Sequence, residues 1–117
     1  MNNIYKSKYI LEHLNNYRDN ISISQISRLP FFIRNNGLVL SLEYLLNKNQ
    51  INDRNVGEFI LEYILQNKKV DKDFFIEELK NMKSYDYMML QKDIYNFSVE
   101  LKSIALSMNS IKKEEKI

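Results

Sequence analysis

The sequence of 117 residues contains no cysteine, a single proline at Pro30 and only two glycines, one of them Gly37. Without cysteine, the chain can form neither disulfide bonds nor cysteine-ligated zinc sites. So few glycines and prolines leave little turn chemistry for a β-sheet protein, whose hairpins draw on Gly, Pro and Asn-Gly pairs at short intervals. An all-helical fold needs far fewer such residues, and the composition therefore favours it.

Long apolar runs are also missing. No stretch approaches about 18 uninterrupted apolar residues, and Met1–Lys8 does not contain the apolar core of a signal peptide. We therefore expect neither export nor membrane insertion. The absence of cysteine agrees with a location in a reducing cytoplasm.

Neither sign of charge dominates, because 17 basic residues are balanced by 15 acidic ones and leave a net charge of +2. This balance neither requires nor excludes a nucleic-acid partner, so the distribution of the charges has to decide. At this length we expect one helical domain, residues 1–110, followed by a charged and frayed C-terminal tail, residues 111–117.

Apolar residues recur at helical spacing in almost every segment and predict a single compact bundle of five to six helices. The first predicted helix runs from Asn3 to Tyr17. Between Ile21 and Arg34 the pattern allows two arrangements. Either one helix bends at Pro30, or a short turn is followed by a new helix with the proline in its first turn.

Four further helices are predicted from apolar spacing and from residues that favour helix starts. A leucine-rich third helix begins after Gly37. Asp53 is expected to cap the fourth helix, Asp71 or Asp73 the fifth, and Ser84 the sixth and longest.

The last predicted helix has the strongest periodicity in the sequence. One face follows a heptad-like spacing: Tyr87, Leu90, Ile94, Phe97, Leu101, Ile104 and Met108. The opposite face mixes long apolar groups with lysines: Tyr85, Met88, Lys92, Tyr95, Val99, Lys102 and Leu106. A helix that is apolar on two sides either lies at the centre of its bundle or meets a partner, and the sequence leaves both possibilities open.

Pro30 and Gly37 are expected to be structural residues that set the angle between the second and third helices. Gly37 follows two asparagines and precedes a leucine-rich run, which predicts a left-handed end to one helix directly before the next. The same arrangement invites comparison with a helix-turn-helix. A DNA-recognition helix presents polar side chains from its first turns, whereas this helix begins Leu38-Val39-Leu40 and carries Glu43, so we reject that interpretation.

Residues suited to catalysis or metal binding are scarce. His13 is the single histidine, and no nucleophile or orienting partner lies near it in the sequence. The carboxylates occur at helix starts or on polar faces, and two isolated glycines cannot form a phosphate-binding loop. We therefore expect no enzymatic activity, no cofactor, no metal site and no small-molecule substrate.

Basic residues are scattered along the predicted helices, and the simplest role of each is a solubilising surface charge. The candidates for contact with a nucleic-acid backbone are Arg28, Arg34, Lys48, Lys92 and Lys102, with Tyr95 as an aromatic neighbour. Lys92 and Lys102 lie about 80° apart around a helix, with Tyr95 between them. Such a basic and aromatic strip suits a nucleic-acid backbone.

Two blocks of the sequence resemble a known family. The block Arg-Leu-Pro-x-x-Ile-x-x-Asn-Gly-Leu-x-x-x-Leu-x-Tyr-Leu, residues Arg28–Leu45, resembles the signature of the small helical subunit of the type III-B CRISPR (Cmr) effector complex, the fifth Cmr protein. The segment Tyr87–Ala105 aligns with the closing helix of that family, and Lys102 is retained. This chain has Glu100 where the family often has tryptophan, and Ser103 where it often has a second basic residue.

The resemblance implies a non-catalytic subunit of an RNA-guided ribonucleoprotein that targets RNA in antiviral defence. Several copies would stack into a minor filament, contact the large and backbone subunits, and line the channel for guide and target RNA. Cleavage of the target would belong to the backbone subunits. Two alternatives stay open, namely the small subunit of a type III-A complex and a helical adaptor that binds protein without RNA. The leucine-proline block argues against the type III-A assignment.

Overall fold

The computed structural model describes residues 3–17, 19–66, 68 and 70–115. In these residues it contains six α-helices, one 3₁₀-helix and no strand. The elements are α1 (Asn3–His13), a 3₁₀-helix (Leu14–Asn16), α2 (Ile23–Asn36), α3 (Leu38–Leu46), α4 (Ile51–Leu65), α5 (Lys72–Lys80) and α6 (Ser84–Glu115). The predicted all-helical fold is confirmed. Over the described ranges, no helix combines the length and apolar character that a membrane span requires.

The long helix α6 packs along both α2 and α1. Ile94, Phe97 and Leu101, three members of its predicted heptad-like face, are fully buried. They share one hydrophobic core with side chains of α2 and α4, including Ile26, Leu29, Ile33, Phe59, Ile60 and Tyr63. Burial of these residues confirms the predicted core face of the last helix. The opposite face is exposed at Tyr85 (73%) and Met88 (68%), so the bundle itself does not cover both sides of α6.

Pro30 lies inside α2, which is one continuous helix. The alternative with a new helix beginning at the proline is therefore wrong. A proline within a helix removes one backbone hydrogen bond, here to the carbonyl of Ile26. The helix persists because Ile26, Leu29 and Ile33 are buried in the core, and because the Ser22 side chain accepts a hydrogen bond from the Gln25 N–H (3.1 Å) at its start.

The helix starts follow the sequence prediction in part. Asp71 caps α5 as predicted, accepting hydrogen bonds from the N–H groups of Asp73 (2.8 Å) and Phe74 (3.2 Å). The prediction for Asp53 is wrong, because α4 begins at Ile51 and Asp53 lies in its first turn. A carboxylate there still favours the helix by complementing its dipole.

Helix ends differ from the prediction by a few residues, as helix termini commonly do. The first α-helix ends at His13, and the 3₁₀-helix carries the helical backbone on to Asn16. Ser84 is the first residue of α6 rather than its cap. Because α6 extends to Glu115, the backbone of residues 111–115 is helical, while Lys116 and Ile117 lie outside the described residues. The division into residues 1–110 and a frayed tail stays a prediction.

Gly37 is the single residue between α2 and α3. Its φ of 84° confirms the predicted left-handed backbone, and its ψ of 168° is extended. Its N–H donates to the Ile33 carbonyl (2.8 Å), while its own carbonyl accepts from the Ser41 hydroxyl (2.7 Å). The first N–H groups of α3 are then satisfied by α6, because Gln91 Oε1 accepts from Leu38 N at 2.9 Å. This turn therefore fixes α3 against both α2 and α6.

Replacing Gly37 by alanine is expected to lower the free energy of unfolding by about 2 kcal/mol, since this φ and ψ combination is essentially restricted to glycine. The added Cβ would also lie 3.2 Å from Gln91 Oε1, the acceptor for α3. Urea denaturation followed by circular dichroism measures the change. Asn35→Ala, at an exposed position of α2, is the control. Equal stability of the two variants would contradict a conformational requirement for glycine.

Candidate nucleic-acid interface

Two of the predicted RNA-contacting residues, Arg28 and Lys48, lie near Tyr44. The ammonium nitrogen of Lys48 lies 4.0 Å from the ring centroid. Phe32 stacks on the same ring, with centroids 4.6 Å apart and an interplanar angle of 26°. Arg28 lines the groove that Phe32 and Tyr44 form. We refer to Arg28, Phe32, Tyr44 and Lys48 as the Tyr44 patch.

Local helical spacing and the turn at Gly37 together build the Tyr44 patch. Arg28 and Phe32 are four residues apart on α2 and therefore share one face of that helix. Tyr44 lies on α3, and Lys48 follows four residues later, just beyond the end of the helix. The tight turn folds α3 back against α2 and so brings the two pairs together.

A groove of about 360 Å³ lies beside the patch. Its lining residues are Gln25, Ser27, Arg28, Leu29, Phe31, Phe32, Tyr44 and Leu45. Leu29 and Leu45 are buried, whereas the ring of Phe31 is 72% exposed. No carboxylate is among these described lining residues, so the charge beside the groove comes from cationic side chains.

Electrostatics at the patch favour negative charge. The Lys48 ammonium lowers the pKa of the Tyr44 phenol below its usual value, against the opposing effect of burial. Gln25 and the positive charge of Arg28 lower this pKa further. All three side chains therefore act on the Tyr44 hydroxyl, and each favours an anion there.

Lys92, Tyr95 and Lys102 share one side of α6 with Met88, Val99 and Leu106. We refer to these six residues as the α6 strip, which spans an arc of about 80° around the helix. Met88 is 68% exposed, while Tyr95 and Lys102 are half-buried. The strip is thus a mixed apolar and basic surface on the helix whose other side forms the core.

Arg34 belongs to neither the Tyr44 patch nor the α6 strip. It is exposed near the end of α2 and lies about 120° around that helix from Arg28. The predicted candidates therefore divide into the pair Arg28 and Lys48, the α6 strip, and Arg34. Sequence reasoning missed Phe32 and Tyr44, although the four-residue spacings to Arg28 and Lys48 were available as a signal.

A cleft of about 680 Å³ lies between α1 and α4 and, unlike the groove beside Tyr44, has acidic side chains in its lining. Glu12, Glu58 and Glu62 line it together with His13 and several lysines. Burial raises the pKa of Tyr9 in this cleft to about 12, and the charge of Glu62 adds to the effect. Among the residues that the structure describes, no group of three or more His, Cys, Asp or Glu side chains is placed to hold a metal ion. Its carboxylates make this cleft a poorer surface for a polyanion than the Tyr44 patch.

Glu100 makes a contact within the bundle. Its carboxylate accepts a hydrogen bond from the Ser7 hydroxyl at 3.0 Å and so joins α6 to α1. Glu100 lies on the side of α6 that faces α1, away from the α6 strip. Glu100 is therefore not part of the α6 strip.

Comparison with known protein families gives a match over residues 4–108, to the family described as CRISPR-associated protein (Cas_Cmr5). No curated protein and no solved structure matches the chain. The matched region contains the Tyr44 patch, the α6 strip and both sequence blocks from which the resemblance was recognised. Because the match extends over most of the sequence, the resemblance is confirmed, and the chain belongs to the Cas_Cmr5 family of CRISPR-associated proteins.

Proposed function

We propose that this chain is the small, non-catalytic subunit of a type III-B CRISPR ribonucleoprotein that targets RNA in the cytoplasm. Membership of the Cas_Cmr5 family supports a place in a Cmr complex with other subunits. In this proposal, copies of the chain stack in a minor filament beside the backbone subunits and line the guide and target RNA channel. The chain contributes surface without a cofactor, and cleavage belongs to other subunits.

The observation that carries the RNA-lining role is the Tyr44 patch. Two cations, Arg28 and Lys48, lie beside a pair of stacked aromatic rings, and the described lining of the adjoining groove contains no carboxylate. Proteins that bind single-stranded nucleic acid combine positive charge along the backbone with aromatic surfaces for the bases. The Tyr44 patch combines positive charge and aromatic surface on one turn of α2 and the end of α3.

The α6 strip supports the assembly part of the proposal. Its apolar members Met88, Val99 and Leu106 are 68%, 42% and 38% exposed, and they follow the spacing of a helix-packing seam. We assign this strip to contacts with another copy or with the large subunit. Lys92 and Lys102 then set which partner surfaces are electrostatically compatible.

Charge reversal of the patch is expected to weaken RNA binding by the assembled complex about tenfold. The double variant Arg28→Glu/Lys48→Glu removes two cations that would otherwise neutralise phosphates. For each phosphate that is no longer neutralised, the slope of log affinity against log salt concentration should decrease by about one. Fluorescence anisotropy with labelled target RNA at several salt concentrations measures both effects. Size-exclusion chromatography first establishes that the variant assembles.

The matched control is Lys68→Glu/Lys83→Glu, which makes the same change of net charge at exposed positions away from the patch. An equal loss of affinity in the control would show that total charge, rather than the patch, determines binding. If the patch variant assembles normally and binds RNA with unchanged affinity, the RNA-lining role is wrong. A variant that binds RNA normally but no longer assembles would favour the protein-only adaptor.

A further inference from the structure

We propose that the groove beside Tyr44 holds one unpaired nucleobase, stacked on the ring of Phe31. This inference rests on the proposed contact between the Tyr44 patch and RNA, and it names the part of the RNA that the site recognises. The cations of the patch attract the phosphates, whereas the groove receives the base.

Phe31 is the aromatic side chain of the groove that is open to stack on a ligand. Its ring is 72% exposed, although Leu29 and Ile33 on the same helix are 3% and 1% exposed. The neighbouring ring of Phe32 is stacked on Tyr44, and the ring of Tyr44 also carries the Lys48 ammonium. Phe31 therefore supplies an open π surface at the rim of a groove whose other aromatic rings are already engaged.

The size and polar groups of the groove suit a base. At about 360 Å³ it lies near the small end of the range for ligand pockets, roughly 300–1,000 Å³. Gln25 and Ser27 are among the lining residues and can form hydrogen bonds with the edge of a base. In the proposed site a planar base lies between these groups and Phe31, with Leu29 and Leu45 as the apolar part of the lining.

The charge around the groove favours a nucleotide over an apolar side chain of a partner protein. Arg28 lines the groove, Lys48 lies on Tyr44, and none of the described lining residues is acidic. A base within a duplex is already stacked between its neighbours, so the occupant must be an unpaired nucleotide. Stacking depends little on base identity, and we expect weak sequence preference.

The test compares two single-stranded RNAs of equal length on the full chain: oligouridylate and the corresponding abasic ribose-phosphate chain. Phe31→Leu keeps an apolar side chain but removes the π surface. It should weaken oligouridylate binding about tenfold and leave binding of the abasic chain unchanged. The control is Phe74→Leu on α5, since Phe74 is 60% exposed and lies outside the groove. This control should bind both RNAs like the unmodified chain.

Phe31→Trp provides a second measurement. The chain contains no tryptophan, so the introduced indole is the sole tryptophan fluorophore. Stacking of a uracil on the indole should quench its emission, and the abasic chain should leave the emission unchanged. The variant should also retain affinity for oligouridylate, because tryptophan restores the aromatic surface.

The outcomes separate this inference from the proposed function. Arg28→Glu/Lys48→Glu should weaken binding of both RNAs. If it does so while Phe31→Leu changes neither, the base site is wrong and the backbone contact stands. If no variant affects RNA binding, both proposals are wrong. Loss of assembly in Phe31→Leu with unchanged RNA affinity would identify a protein side chain as the occupant and overturn the base site.

Discussion

Phe97→Ala is expected to lower the free energy of unfolding by about 4 kcal/mol, because it removes a large ring from the centre of the core. Phe97 is fully buried, and its ring is stacked on Tyr63 with centroids 3.9 Å apart. The ring centroids of Phe59 and Tyr9 lie 5.9 Å and 6.0 Å from the centroid of the Phe97 ring. The cavity would therefore open where α1, α4 and α6 meet, among rigid rings that cannot readily collapse into it.

Urea denaturation followed by circular dichroism measures this effect. Phe74→Ala is the matched control, since Phe74 is 60% exposed and its loss should change stability by no more than about 0.5 kcal/mol. The free energy of unfolding of Phe97→Leu should lie between those of Phe97→Ala and Phe74→Ala, because leucine keeps part of the buried volume. A Phe97→Ala variant as stable as Phe74→Ala would contradict the assignment of this ring to the core.

Asp93→Ala is expected to destabilise the fold by about 3 kcal/mol, because it removes the carboxylate that faces a buried ammonium group. Lys6 is 1% exposed, and its Nζ lies 2.9 Å from Asp93 Oδ1. The Tyr63 hydroxyl donates to Asp93 Oδ2 at 3.2 Å. Burial raises the pKa of Tyr63, and the charge of Asp93 raises it further, so this phenol stays protonated and able to donate.

A double variant separates the ion pair from simple packing. Lys6→Met/Asp93→Asn removes both charges and keeps a side-chain oxygen that can accept from the Tyr63 hydroxyl, so it should recover most of the stability lost in Asp93→Ala. Asp86→Ala is the control on the same helix, since Asp86 is exposed in the first turn of α6 and its loss should cost about 0.5 kcal/mol. If the double variant is as unstable as Asp93→Ala, the loss arises from packing at this position rather than from loss of the ion pair.

These two predictions concern the same junction. Tyr63 of α4 stacks on Phe97 and donates to Asp93, and Lys6 of α1 reaches Asp93 from the other side. The three helices are thus joined by an apolar and a polar contact one turn apart on α6. Both variants should be less stable without changing the Tyr44 patch, which is built from α2 and α3.

Features that depend on neighbours along the chain can be predicted from the amino-acid sequence alone. The spacing of Ile94, Phe97 and Leu101 indicates the buried face of α6, because residues three and four apart share a side of any helix. The asparagines and glycine at the end of α2 predict a left-handed turn, since only glycine adopts that backbone at low cost. The two blocks that resemble the Cmr family likewise lie within single segments, and the family match confirms them.

Contacts between residues that are distant in the sequence depend on how the helices pack, and the sequence pattern did not predict them. Lys48 lies over the Tyr44 ring and Arg28 lines the adjoining groove because α3 folds back on α2. Arg34 precedes the same turn but lies about 120° around α2 from Arg28. Lys6 resembles other lysines in the sequence, and its burial follows from packing of α1 on Asp93. Helical periodicity records which residues share a face, but the pairing of faces depends on the packing energy of the whole bundle. The Tyr44 patch arises from that pairing, and so no local pattern predicts it completely.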